Sequence, residues 1–172
     1  MSATEVISRL DPTRWLLRPS LFCLAASLAF AAPLEVVGLR LPEPAFAFVP
    51  AFAWAVIRPS ASAPFLLLGL GLFQDLLTGG PLGLWPLGLL TAHALTLSAR
   101  RALAGQSALT LFAAYAAIVL IALGVAALAL WIARGAAPGL ADLFWQVVST
   151  LALFVFAGRL IGAFEDADVR FR

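Results

Sequence analysis

The sequence predicts an all-α integral membrane protein, a bundle of six transmembrane helices. Three observations carry that reading. Of the 172 residues, 63% are hydrophobic and only 12% are charged, with a mean hydropathy of +1.02. A soluble domain carries roughly 25% charged residues and could not hide this much apolar surface in one core. The apolar residues fall into six runs separated by short polar or Gly/Pro-rich breaks, and the arginines gather in alternate breaks. At about 20 residues per span, the length leaves no room for a sizeable soluble domain.

Residues 1–18 mix Arg9, Arg14 and Arg18 with Val6, Ile7, Leu10, Trp15 and Leu16. They are expected to form a cytoplasmic, interfacial segment at the lipid headgroups. The six-helix transmembrane domain is expected over 19–163 and a cytoplasmic tail over 164–172, where Glu165, Asp166 and Asp168 are solvated. The first run, 19–39, is interrupted by Pro33 and Glu35, and the second, 44–57, is short and ends at Arg58-Pro59. The third, 62–77, ends in a Gly-Gly-Pro turn; the fourth, 82–99, ends at Arg100-Arg101. The fifth, 107–133, is closed by Arg134, and the sixth, 140–163, precedes the tail.

Charge decides whether the short second run crosses. With six spans and both termini in the cytoplasm, the inner segments hold nine arginines (9, 14, 18, 58, 100, 101, 159, 170 and 172), and the outer ones hold Arg40 and Arg134. That is a clear positive-inside bias. If 44–57 did not span, Arg58, Arg100 and Arg101 would move outside. Trp85, Trp131 and Trp145 fall near outer helix ends and Trp15 and Trp54 near inner ones, which predicts two aromatic belts. A cleaved signal peptide is the competing reading of the N-terminus, since Arg18, the run 21–28 and Ala-Phe-Ala at 29–31 imitate its three regions. Its basic region would be unusually long, so retention is expected. All eleven cations are Arg and no basic run exceeds two residues, so the net charge of +2 speaks to topology rather than to nucleic acid. One Cys excludes an internal disulfide.

The stretch GLFQDLLTGGPLGLWPLGLL, residues 71–90, places a carboxylate beside a tight turn. Asp75 lies at the outer, C-terminal end of the third helix, where the helix dipole prefers a cation. Propensity therefore does not explain it. The next helix is expected to begin with Pro81 in its first turn, and its free N–H groups, with those of Gly79 and Gly80, are natural partners for an anion. Asp75 would then tie the outer hairpin, with Gly79 and Gly80 supplying unusual backbone angles and Thr78 a further cap. Two functional readings stand beside this one. In the first, Asp75 with Gln74 faces a partner protein; in the second, it handles a solute or proton. Gly69, Gly71, Gly83 and Gly88 suit close packing of helices three and four, and Ala25, Ala29 and Ala32/Pro33 make a small-residue face on helix one that equally suits a partner helix.

His93 lies near the middle of helix four, and Gln146, Ser149 and Thr150 share a face of helix six. They are expected to hydrogen-bond between helices; the other use for His93 and Gln146 is a polar pocket. No paired intramembrane carboxylates, metal-ligand spacing or phosphate loop is present, so catalysis, cofactors and metals are not expected.

Residues 48–90 resemble the MreD family of rod shape-determining proteins. The likeness rests on Trp54 ahead of Arg58-Pro59, then on a Gly-rich third helix with Gly69 and Gly71. It continues through Asp75, Gly79 and Gly80 to Pro81-Leu82-Gly83. Elsewhere the match is one of length and hydropathy. The resemblance implies a non-enzymatic scaffold in the bacterial inner membrane, within the elongation machinery that builds peptidoglycan and maintains cell shape. The implied partners are membrane lipids, an MreC-like single-span periplasmic protein, the MreB cytoskeleton and the RodA/penicillin-binding-protein synthase, with a homo-oligomer as a further expectation. It also implies a fold similar to the S components of energy-coupling-factor transporters. The rival, from another class, is a small-solute-binding subunit of a transporter, with Asp75, His93 and Gln146 converging on a cavity.

Overall fold

The structure, a computed structural model, describes residues 12–30, 35–36, 39–40, 45–57, 59–135 and 139–159. Among these residues there are six helices: α1 (Pro12–Phe30), α2 (Phe48–Ile57), α3 (Ala63–Thr78), α4 (Leu84–Leu103), α5 (Ala108–Arg134) and α6 (Leu140–Ala152). Helical structure resumes after a turn at Leu153 and runs to residue 159. Two-residue strands, β1 (Glu35–Val36) and β2 (Leu39–Arg40), pair antiparallel with Glu35 opposite Arg40. The expected tail at 164–172 and the segment before residue 12 lie outside the described residues, as does Arg58.

α4 is the hub, packed against α2, α3 and α5, while α6 leans on α5 and α1 on α3. The burial pattern is that of a membrane protein. Asp75, Gln74, His93, Thr96 and Thr150 are buried, whereas Phe65, Leu76, Leu109, Ile132 and Leu140 are exposed. Two helices among the described residues, Ala108–Arg134 and Leu140–Arg159, are long and apolar enough to cross a bilayer, with mean hydropathy 2.7 and 1.8.

The first helix differs from the sequence expectation at both ends. It begins at Pro12, so residues 12–18 are continuous with it rather than a separate interfacial segment. Arg14 and Arg18 mark charge, not a helix boundary, and Arg is a good helix former. Proline at the first position is pre-set for a helix. The described helix reaches Phe30, and Glu35–Val36 and Leu39–Arg40 are strands, so the apolar run 19–39 is not one helix. Its buried face is Leu16, Ser20, Cys23 and Ser27; Ala25 and Ala29 lie on the exposed side, and Ala32 and Pro33 lie outside the described residues. The described part of the small-residue face therefore does not pack within this chain.

α2 has only ten residues, about 15 Å, which is half of a bilayer's hydrocarbon core. Seven of the ten are buried, including Trp54 at 0% exposure. Trp54 is thus a core residue and not part of an inner aromatic belt. The helix is apolar all round, so hydropathy could not say which side of it faced lipid. Trp131 and Trp145, by contrast, are exposed.

Of the glycines expected to bring α3 and α4 together, Gly71 does so. A Cβ there would lie 2.5 Å from the backbone nitrogen of Pro86, whereas one on Gly69 would meet nothing. At Gly88 a Cβ would sit 3.6 Å from the Ala122 carbonyl, an ordinary contact. The two helices cannot approach this closely if position 71 carries a side chain. Gly71→Ala is expected to destabilise the protein by about 1–3 kcal/mol, as overpacking does, while Gly69→Ala is neutral or slightly stabilising. Thermal unfolding of both variants in mild detergent checks the contrast.

Candidate functional site

The Asp75 carboxylate is 1% exposed, and its hydrogen-bond partners are backbone amides of the next helix. Gly83 N–H donates to Oδ2 at 2.6 Å and Trp85 N–H donates to Oδ1 at 3.0 Å. The first turn of α4 can be accounted for group by group. Leu84 N–H donates to the Pro81 carbonyl, Pro86 has no N–H, and Leu87 N–H makes the first intrahelical bond, to Gly83. Helix N-termini leave their first amides without internal acceptors. Here Asp75 supplies the acceptors from the preceding helix, doing for α4 what an N-cap residue usually does from within.

The same residue also ends α3. Its main-chain carbonyl accepts from Gly79 N–H and from Gly80 N–H at 3.3 Å. Gly79 takes the left-handed conformation, φ 63°, in which glycine is at no disadvantage. Thr78 Oγ1 donates back to the Gln74 carbonyl at 3.0 Å.

Three expectations about this turn are corrected. α4 starts at Leu84 rather than at Pro81, because Gly83 at φ 96° is left-handed and cannot belong to the helix. Gly79 and Gly80 bond the Asp75 main chain, not its carboxylate. Thr78 closes its own helix and does not cap the next. Gln74 is buried beside Asp75, while Thr78, Leu76 and Leu82 are exposed at the rim of the turn.

The other polar residues tie helices to one another. His93 Nδ1 lies 2.9 Å from the Ala51 carbonyl. A carbonyl only accepts, so Nδ1 carries the proton and His93 joins α4 to α2. Arg100 Nε donates to the Val56 carbonyl at 3.1 Å and Nη2 to Ile57 at 3.4 Å, closing the C-terminal end of α2. Thr150 is a node that the sequence did not single out beyond its helix face. Its hydroxyl accepts from Ala45 N–H at 3.4 Å, and its carbonyl accepts from the Tyr115 hydroxyl at 3.1 Å. The same carbonyl also takes Leu153 N–H, at the interruption of α6. The available signal was a threonine in an apolar run; its partners, 105 and 35 residues away, leave no local trace.

A cavity of about 310 Å³ lies between α1, the start of α2 and the end of α6, lined by residues such as Phe22, Cys23, Phe46 and Leu153, and neither His93 nor Gln146 is among its described lining residues. Among the described residues, no three His, Cys, Asp or Glu side chains gather in a way that could hold a metal ion.

The clasp sets two expectations. Asp75→Ala leaves two buried N–H groups without acceptors, each costing about 1–3 kcal/mol, so a loss of about 2–4 kcal/mol is expected on unfolding in detergent. Asp75→Asn, nearly isosteric, keeps one acceptor and sets an NH₂ against the other amide. It is expected to recover less than half of the loss. Arg100→Met is expected to cost about 1 kcal/mol or more through the freed α2 carbonyls, with Arg100→Lys intermediate in the same assay.

No individual curated protein and no solved structure matches the chain significantly. A family model does, that of the rod shape-determining protein MreD, over residues 12–158. This covers α1 to α6 and contains the clasp, so the ordered set Trp54, Gly71, Asp75, Gly79, Pro81 and Gly83 sits inside a match to most of the chain. The chain belongs to the MreD family, membrane proteins that determine rod shape.

Proposed function

We propose that this protein is a non-enzymatic scaffold of the bacterial cell-elongation complex. In this reading it sits in the inner membrane, crosses it six times and keeps both termini in the cytoplasm. It links an MreC-like single-span periplasmic protein, the MreB cytoskeleton and the RodA/penicillin-binding-protein synthase, and its fold is similar to the S components of energy-coupling-factor transporters. The observation that carries the proposal is the family match over residues 12–158. The distribution of arginines supports the orientation. Arg100 reaches the last carbonyls of α2, so the arginines at 100 and 101 stand at the same end of the bundle as the C-terminus of α2.

The geometry also supports a holding role over a conducting one. A solute site needs a few polar groups converging on a pocket. Asp75 spends both oxygens on the α4 amides and His93 bonds a backbone carbonyl. On this proposal Asp75 fixes the outer hairpin, and the exposed rim of that hairpin, Leu76, Thr78 and Leu82, meets the periplasmic partner.

The test is a mild-detergent pull-down of tagged protein from its native membrane. Recovery of a single-span periplasmic coiled-coil protein with wall synthases is expected. Recovery of an ATPase pair with a coupling membrane subunit would replace the scaffold reading with the solute-binding one. A photo-crosslinking residue at Leu82 is expected to capture the periplasmic protein, and the same residue at buried Leu67 is not. Asp75→Ala is expected to lose rod shape in a complementation assay at normal membrane insertion. Wild-type shape and partner recovery would remove Asp75 from the proposal.

A further inference from the structure

The cavity between α1, α2 and α6 belongs to none of the interactions described so far. Its walls are apolar: Phe22 and Cys23 from α1, Phe46 and Val49 from the start of α2, and Leu153 and Phe156 from the end of α6. Cys23 is turned into the wall, its thiol donating to the Phe46 carbonyl at 3.5 Å. Phe22 and Phe156 are 58% and 48% exposed, so the space opens sideways as a groove on the outside of the bundle. Among the described lining residues one is charged. Arg18 stands a turn before Phe22 on α1, at one end of the groove, and is exposed. Among the described residues its guanidinium has no hydrogen-bond or ion-pair partner.

Charge and lining together choose among the occupants a membrane offers. The groove, about 310 Å³, has apolar described walls and a cation beside them. An apolar cavity of about 150 Å³ takes up benzene, so this one accepts an apolar chain of about a dozen carbons. A cation at one end of such a slot adds a binding point for an anion. A slender hydrocarbon ending in a negative group is the chemistry of an anionic phospholipid.

We propose that this groove binds one anionic phospholipid, its acyl chain against Phe22, Phe46 and Phe156 and its phosphate at Arg18. Assignment of that lipid to the cytoplasmic leaflet rests on the orientation proposed above, in which α1 enters from the cytoplasm; the binding itself does not. The interruption at Leu153 shapes the site, since the turn there breaks the even surface of α6 where it faces α1.

Native mass spectrometry of the purified full chain tests this. The protein is transferred from mild detergent into mixed micelles of phosphatidylglycerol and phosphatidylethanolamine. The wild type is expected to retain one phosphatidylglycerol in preference to phosphatidylethanolamine. Arg18→Ala, a change at an exposed side chain, is expected to lower that preference about fivefold, the factor equivalent to about 1 kcal/mol per basic residue near an anionic surface. Arg18→Lys is expected to restore most of it. Leu153→Trp, which fills the groove, is expected to lower retention of both lipids. A wild type that retains no lipid, an unchanged preference in Arg18→Ala, or a co-purifying polypeptide retained in place of the lipid would each overturn the proposal. Because the readout needs no partner protein, it stands or falls apart from the pull-down.

Discussion

One carboxylate holds one end of this molecule together. Asp75 accepts from Gly83 and Trp85 through its two oxygens and from Gly79 and Gly80 through its main-chain carbonyl. The requirement is geometric. Two donors two residues apart at the start of α4 need two acceptors on one short side chain. Serine offers one hydroxyl; asparagine offers one acceptor and two unwanted donors. The dipole of α3 opposes a negative charge at its C-terminal end by about 0.3–1 kcal/mol, and the N-terminus of α4 favours it by a similar amount. The dipoles roughly cancel, and the two charge-assisted hydrogen bonds, about 1.5–3 kcal/mol each, decide the outcome.

The same logic recurs at both ends of α2 and at the break in α6. Away from water every backbone amide and carbonyl must find a partner in the protein. The amide of Ala45, ahead of the short α2, goes to the Thr150 hydroxyl, and the carbonyls at the other end of α2 go to Arg100. The carbonyl of Thr150, at the interruption of α6, is taken by Tyr115 as well as Leu153. His93 then pins the middle of α2 to α4. Each of these irregularities is matched by a side chain from a neighbouring helix. That places Asp75, Arg100, Tyr115 and Thr150, and it fits α4, which carries His93 and Arg100 and receives Asp75, as the hub.

Much of this was legible in the sequence because hydropathy and turn chemistry are local. The helical class, the Gly-Gly-Pro hairpin and the pairing of Asp75 with the next helix's amides all follow from residues within a window of a few turns. What was not legible depended on facing and on distance. Arg14 and Arg18 read as an interfacial segment because charge suggests an interface, yet they continue the first helix. Trp54 read as a belt residue because tryptophans favour interfaces, yet it is walled in by other helices. The small residues Ala25 and Ala29 looked like a packing seam, while α1 buries Leu16, Ser20, Cys23 and Ser27 instead. The groove is drawn from three elements spread from Arg18 to Phe156, and no pattern along the chain marks it.

The allocation of polar groups constrains how such a protein can act on others. A conduit keeps its polar side chains unsatisfied by the fold, so that a moving solute can use them. Here Asp75, His93 and Thr150 each bond the main chain, while many large apolar side chains, such as Phe65, Leu76, Leu109 and Ile132, are exposed. On the scaffold proposal, recognition within the bilayer would rest on shape, through exposed surfaces such as Phe65, Leu68, Leu72 and Leu76 along α3, because these buried polar groups already bond the main chain. Recognition at the ends can use the rim of the hairpin that Asp75 closes. A stiff hairpin gains most in this arrangement. A partner that reads shape needs the shape fixed before it arrives, because ordering it on contact would cost about 1–2 kcal/mol per residue. The clasp removes that cost in advance, which connects a buried carboxylate that touches no partner to the strength with which one can be held.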